Sequence, residues 1–164
     1  MRPPQVAIVA MLALAAVQIA YFYPQLPSVM AGHFDAAGNP NSWQLKSAFF
    51  TIMGSVYLFF GVLYWVMPHL LQSMPPALIN LPNKAYWLAP ERREMTAHMV
   101  ADQLAWFGAV QLGFVIFVCQ VAINANLPGS TGVMSPAVWW VLGLFVAYAI
   151  VWLIRFTRMF RVAR

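Results

Sequence analysis

The stretch AVWWVLGLFVAYAIVWLIRFTR, Ala137 to Arg158, carries no charge until Arg155 and then gains a second arginine at Arg158. Coiled at about 1.5 Å per residue, its uncharged part reaches across most of a hydrocarbon layer about 30 Å thick. Inside that layer no water can bond exposed peptide groups, so such a run crosses only as a helix that satisfies its own backbone. Working outward, three more runs read the same way: Val6 to Tyr23, interrupted only by Gln18, Ala48 to Met67, and Leu104 to Ile123. The expected fold class is an all-α integral membrane protein, a four-transmembrane-helix bundle. Residues 1–164 form a single membrane domain, with spans at about 6–23, 48–67, 104–123 and 137–154. The loops are a structured outer loop at 24–47 and an interfacial cytoplasmic loop at 68–101.

Composition excludes the soluble alternative. Of the residues, 62% are hydrophobic and 8% charged, against roughly 25% charged in an average soluble domain. The first run could be read as a signal peptide, since Arg2 precedes it and Ala13 and Ala15 lie within it. It is long for that role and ends in Tyr21, Phe22 and Tyr23, which suit an aromatic belt at the interface. A retained helix is expected. Cys119 is the single cysteine and lies in an apolar run, which leaves no internal disulfide or cysteine metal cluster.

The net charge of +5 is distributed topologically. Arg2, Lys84, Arg92, Arg93, Arg155, Arg158, Arg161 and Arg164 fall on one side of the four spans and only Lys46 on the other. The positive-inside rule makes the first side cytoplasmic, which places both termini in the cytoplasm and Pro24 to Ser47 outside. Nucleic acid is not an expected partner; the lipid bilayer is. Leading into and along the second run, Ser47, Gly54 and Gly61 recur every seven residues and read as a helix-contact stripe. Its aromatic residues Phe49, Phe50, Tyr57, Phe59, Phe60, Tyr64 and Trp65 read as facing lipid or the interface. The last helix is expected to leave the bilayer still helical.

Two loops have too much punctuation to be connectors. In PQLPSVMAGHFDAAGNPNSWQLK, Pro24 and Pro27 hold the chain extended, Val29 to Phe34 reads as extended, and Gly38 to Asn41 reads as a turn. Trp43 is placed to anchor this cap at the interface. In SMPPALINLPNKAYWLAPERREMTAHMVAD, four prolines forbid a continuous helix, yet Leu78, Ile79, Leu81, Tyr86, Trp87 and Leu88 are too apolar for a solvated linker. This loop is expected to lie along the membrane surface. A helix from Pro90 would carry Glu91, Glu94, His98 and Asp102 on one face.

HFDAAGNPNSWQLK, preceded by YPQLPSV, resembles the signature of an uncharacterised bacterial multi-pass membrane domain that also forms the N-terminal part of SdpI-type immunity proteins. INLPNKAYWLAPERR is similar to the cytoplasmic loop of many members. The resemblance implies a bacterial inner-membrane protein and marks His33, Phe34, Gly38, Pro40, Trp43 and Lys46 outside. Inside it marks Asn80, Pro82, Asn83, Trp87, Pro90, Glu91 and Arg92. Immunity proteins of that type are longer, with further C-terminal spans that have no counterpart here.

Two constellations invite a chemical reading. His33 and Asp35 alternate along an extended stretch and could share a metal ion, but two ligands fall short of the three or four of a zinc site; a backbone-bonding His33 and a turn-capping Asp35 are the plainer alternative. Glu94, His98 and Asp102 share a helical face, and an ionisable group where a helix enters the membrane is a functional candidate. With Arg92, Arg93 and Lys84 nearby, an ion-paired interfacial face explains them as well. Ala105, Ala109, Gly113 and Gln120 continue that face and read as helix packing. No cofactor is assigned to the ten Met or seven Trp. The expectation is a non-enzymatic protein of envelope sensing or protection, with a membrane protein or a secreted peptide as partner. An accessory subunit of a larger complex and a metal-dependent membrane enzyme are the alternatives.

Overall fold

The structure, a computed structural model, describes residues 1–161. Arg164, the last of the C-terminal arginines, lies outside the described residues. The chain runs α1 (Pro3–Phe22), β1 (Val29–Phe34), β2 (Pro40–Leu45), α2 (Lys46–Ser73), α3 (Lys84–Trp87), α4 (Arg93–Asn126) and α5 (Ala137–Met159). The helices α1, α2, α4 and α5 are long and apolar enough to cross a membrane, which makes this a multi-pass membrane protein. The β1–β2 hairpin lies at one end of the bundle. Arg2 meets α4 near its start and Phe160 meets the α2–α4 loop, so Arg2 and Phe160 lie at the opposite end.

Local chemistry sets the element ends. Pro3 and Pro4 open α1, where a missing N–H costs nothing, and Gln5 Oε1 accepts from the Arg2 backbone N–H at 3.0 Å. A 3-10 turn at Tyr23–Gln25, with Pro24 inside it, ends the first crossing. In α4, 34 residues make a rod of about 51 Å at 1.5 Å per residue, several turns longer than a bilayer core requires. The surplus carries Glu94 and His98. The expected start at Pro90 is corrected to Arg93. The Ala89 carbonyl accepts from the N–H groups of both Arg92 and Arg93, at 2.9 and 3.0 Å, which closes a separate turn and leaves Glu91 off the helical face.

The core is the seam of α1, α2 and α4. Ile8, Ala15, Tyr57, Tyr64, Ala105, Ala109, Leu112, Ile116 and Cys119 are buried there. Small residues let the backbones approach: a Cβ at Gly61 would lie 2.7 Å from Leu12 Cδ1, and one at Gly108 would enter the Tyr64 ring. The expected Ser47–Gly54–Gly61 stripe is therefore corrected. Gly61 packs, but Gly54 has open space around it and Ser47 is exposed. The expectation for the α2 aromatics also changes. Phe49, Phe50, Tyr57 and Tyr64 are buried, whereas Phe59 and Trp65 are exposed. The bundle turns the ring stripe at helical spacing inward because α4 offers Gly and Ala opposite it.

Helix α5 rides on α4 through rings. Phe107 stacks on Tyr148 at 5.9 Å and meets Trp152 at 4.7 Å, and Phe114 stacks on Phe145 at 4.6 Å. Most of its remaining surface is exposed apolar side chain, as lipid requires.

Candidate functional site

The hairpin is built from the expected extended stretch and from a second strand, Pro40–Leu45, within the outer loop. Val29 pairs Leu45, Met30 pairs Gln44 and Ala31 pairs Trp43, after which the register shifts, leaving Gly32 out of register before His33 meets Ser42 and Phe34 meets Pro40. Pro40 opens β2, where it costs no ladder bond, so the expected turn at Gly38–Asn41 is corrected to Asp35–Asn39. Asp35 organises that turn. Its carboxylate accepts from Ala37 N at 2.9 Å, Asn39 N at 2.8 Å and Asn39 Nδ2 at 3.2 Å. The bonds from the Asn39 backbone and then its side chain hold the Asp35 carboxyl below the ordinary value of 3.8. Asp35 thus caps the turn. His33 is exposed, and its imidazole makes no hydrogen bond among the described residues.

Hairpin and helices are tied at three points. Asn126, at the end of α4, accepts from the Ala31 N–H at 2.7 Å and donates to the Ala31 carbonyl at 3.0 Å, standing in for a neighbouring strand. Lys46 Nζ donates to the carbonyls of Tyr23 at 3.1 Å and Leu26 at 2.9 Å and sits 4.8 Å from the Tyr23 ring centre. Lys46, the one Lys or Arg at this end among the described residues, thus fills the orphan acceptors where α1 ends. At the tip, Gly38 has φ +88°, its carbonyl accepts from Met134 N at 2.8 Å, and a Cβ there would meet the Met134 carbonyl at 2.5 Å. Trp139 Nε1 donates to the Ala36 carbonyl at 3.2 Å, which joins the tip to the start of α5. Phe34 is half-buried and Trp43 is exposed.

At the opposite end, the α2–α4 loop closes on the end of α5. Asn83 Nδ2 and Trp87 Nε1 both donate to the Phe160 carbonyl, at 3.1 and 2.9 Å, and the Trp87 and Phe160 rings lie 5.4 Å apart edge to face. Asn83 adopts φ +52°, which asparagine tolerates better than most residues. Phe160 is fully buried with Ile79, Leu81 and Val100. The loop divides its apolar residues between this cluster and exposed Leu78 and Tyr86. Thr96 Oγ1 donates to the Trp87 carbonyl at 2.8 Å, fixing α3 to α4. Arg92 stacks 3.9 Å above Tyr86, and Arg93 Nη2 donates to the Gln72 and Met74 carbonyls at 2.9 and 2.7 Å, capping α2. Asn80, Pro90 and Glu91 are exposed and Pro82 is half-buried.

The polar face of α4 resolves into an ion pair with α1. Arg2 Nη1 lies 2.6 Å from Asp102 Oδ1 and 3.3 Å from His98 Nδ1. Because guanidinium only donates, that His98 nitrogen must be an acceptor. Glu94 stands 4.0 Å from His98 and is largely exposed. Among the described residues, no three His, Cys, Asp or Glu side chains gather as metal ligands. The partner of Asp102 is Arg2, and not Lys84, Arg92 or Arg93 of the loop.

Deeper in the bundle, Gln18 Nε2 donates to the Ile116 carbonyl at 3.0 Å and to Gln120 Oε1 at 2.9 Å, and Tyr57 Oη donates to Gln18 Oε1 at 3.1 Å. Gln120 continues to Asn124 at 2.8 Å. This network satisfies every polar end of a buried amide, so it locks α1, α2 and α4 together.

Asn126, Arg2 and the Phe160 carbonyl were missed as organisers. Only Asn126 had a local signal, an asparagine before Pro128 at a helix end.

No curated protein and no solved structure matches this chain. A family described as a domain of unknown function, DUF1648, matches residues 10–54, which run from α1 through the hairpin into α2.

Proposed function

We propose that this is a non-enzymatic protein of the bacterial inner membrane, akin to the N-terminal part of SdpI-type immunity proteins, that works in envelope sensing or in protection against membrane-active peptides. The charge distribution turns the hairpin outward: Lys46 is at that end, and Arg2, Lys84, Arg92, Arg93, Arg155, Arg158 and Arg161 are at the other. The hairpin around His33 to Lys46 receives the signal, and the loop around Pro82 to Arg93 passes it on.

One observation supports this reading above the rest: both specified loops clasp the same two helices at opposite ends. The hairpin holds α4 at Asn126 and α5 at Trp139, and the loop holds α4 at Thr96 and the end of α5 at Phe160. A peptide that displaced the hairpin would act on both helices, whose far ends carry the loop. Asn126 and Thr96 are separated by about 45 Å of continuous helix at 1.5 Å per residue.

The test is a gene deletion challenged with a panel of membrane-active peptides and complemented in trans. Increased killing restored by the wild-type gene, but not by a Trp43→Ala, His33→Ala chain, is expected. Unchanged sensitivity to every peptide removes the proposal. Orientation is checked by Ala36→Cys in a Cys119→Ser background, with labelling of intact spheroplasts by an impermeant maleimide expected.

A further inference from the structure

The seam between α4 and α5 is open along one flank, and its two ends differ in chemistry. Toward the end of α5, a cavity of about 460 Å³ is lined by Gln103 and Trp106 of α4 and by Tyr148, Trp152 and Arg155 of α5. Toward the start of α5, a second cavity of about 350 Å³ is lined by Val110, Gly113 and Phe117 against Val141 and Leu144. Tyr148 borders both, so the two cavities lie end to end along the groove of the α4–α5 seam.

The lining residues recur at helical spacing on both helices, and the antiparallel crossing sets Gln103 near Arg155 and Phe117 near Val141. Polar groups crowd one end only. The Arg155 guanidinium, the Gln103 amide, the Tyr148 hydroxyl and the Trp106 indole N–H make no hydrogen bond or ion pair among the described residues. No Asp or Glu lines either cavity.

A groove with this gradient fits an amphiphile, and an uncompensated guanidinium among neutral donors fits a negative head. From Arg155 to Val141 the groove runs about 21 Å at 1.5 Å per residue, longer than one leaflet of a hydrocarbon core about 30 Å thick. That length accommodates a single acyl chain while the head stays at the depth of the interfacial aromatics. We infer that this groove binds an anionic phospholipid of the leaflet that holds the end of α5, with its phosphate on Arg155, Tyr148 and Gln103 and one chain against Gly113 and Leu144. With no carboxylate to meet a choline, it selects charge as well as shape.

The test is native mass spectrometry of the delipidated full chain in detergent, titrated with phosphatidylglycerol and with phosphatidylcholine of the same chains. One phosphatidylglycerol per chain is expected, at least fivefold tighter than phosphatidylcholine. Arg155→Gln reduces phosphatidylglycerol binding about fivefold and brings it to the phosphatidylcholine level. Arg158→Gln, outside the groove, leaves it unchanged. Leu144→Trp fills the apolar end and weakens both lipids. Arg155 and Leu144 are exposed, so circular dichroism and melting of the variants should match the parent. Equal binding of the two lipids, or equal loss in Arg155→Gln and Arg158→Gln, overturns the inference. Displacement by inorganic phosphate with no effect of Leu144→Trp overturns it in favour of a free-anion site. A lipid-free groove that takes up a second protein's helix overturns it as well.

Discussion

The side-chain amide of Asn126 closes on the backbone of Ala31, accepting its N–H at 2.7 Å and donating to its carbonyl at 3.0 Å. A two-stranded hairpin is marginal by itself; this contact gives β1 the equivalent of a third strand and anchors it to the longest helix.

Asn126→Ala therefore leaves two backbone groups of a half-buried strand unpaired, a loss of about 1–3 kcal/mol. Hydrogen exchange at Ala31 and its neighbours should accelerate by at least tenfold. Protection equal to that of the parent shows that the amide contact does not hold the hairpin.

The Asp35 turn should loosen in acid. Its carboxyl is held below the ordinary 3.8 by the Asn39 backbone and side-chain donors, so it is a group whose folded pKa is depressed. Its contribution is complete above the unfolded value of 3.8 and disappears as pH falls from there through the lower folded value. Amide exchange at Ala37 and Asn39, corrected for intrinsic pH dependence, should rise in that window and should already be raised at neutral pH in Asp35→Asn. A pH-independent turn in the parent contradicts the assigned bonds.

The Arg2–Asp102 pair joins α1 to α4 at the edge of the apolar zone. Both side chains are about one-third exposed, 32% and 36%, so solvent screens the pair and about 0.5–1 kcal/mol of coupling is expected. A double-mutant cycle of Arg2→Gln and Asp102→Asn, read by unfolding in detergent, should be non-additive by that amount and more so at low salt. Strict additivity means the two charges act independently.

Glycine positions separate contact from open surface. Gly108→Ala drives a methyl group into the Tyr64 ring and should cost about 1–3 kcal/mol, while Gly54→Ala, facing open space, should be neutral or slightly stabilising through helix propensity. Melting of the two variants in one detergent decides it, and equal shifts discard the Tyr64–Gly108 packing.

The loop clasp on α5 should also be measurable. Trp87→Phe keeps a ring beside Phe160 but removes one of the two donors to its carbonyl, so about 0.5–1.5 kcal/mol is lost. Adding Asn83→Ala removes the second donor and should cost more than the sum of the singles, because the acceptor is then bare. Limited proteolysis between Met159 and Arg161 reports the loosening. Unchanged cleavage of the double variant excludes the clasp.

The amino-acid sequence alone determined the helices, because uncharged runs long enough to cross lipid have one backbone solution. It determined the division of basic residues between the two ends, and the extended stretch Val29–Phe34, which lies between turn-forming segments. What only the tertiary structure decided is which groups meet. Asn126 and Ala31, Arg2 and Asp102, and Trp87 and Phe160 are each separated by about seventy residues or more. Their bonds depend on helix rotation, which apolar runs leave undetermined in lipid because every face is equally greasy. Phe50, Tyr57 and Tyr64 turned inward once Gly108 and the alanines of α4 lay opposite them. That choice belongs to the pair of helices, not to either sequence segment.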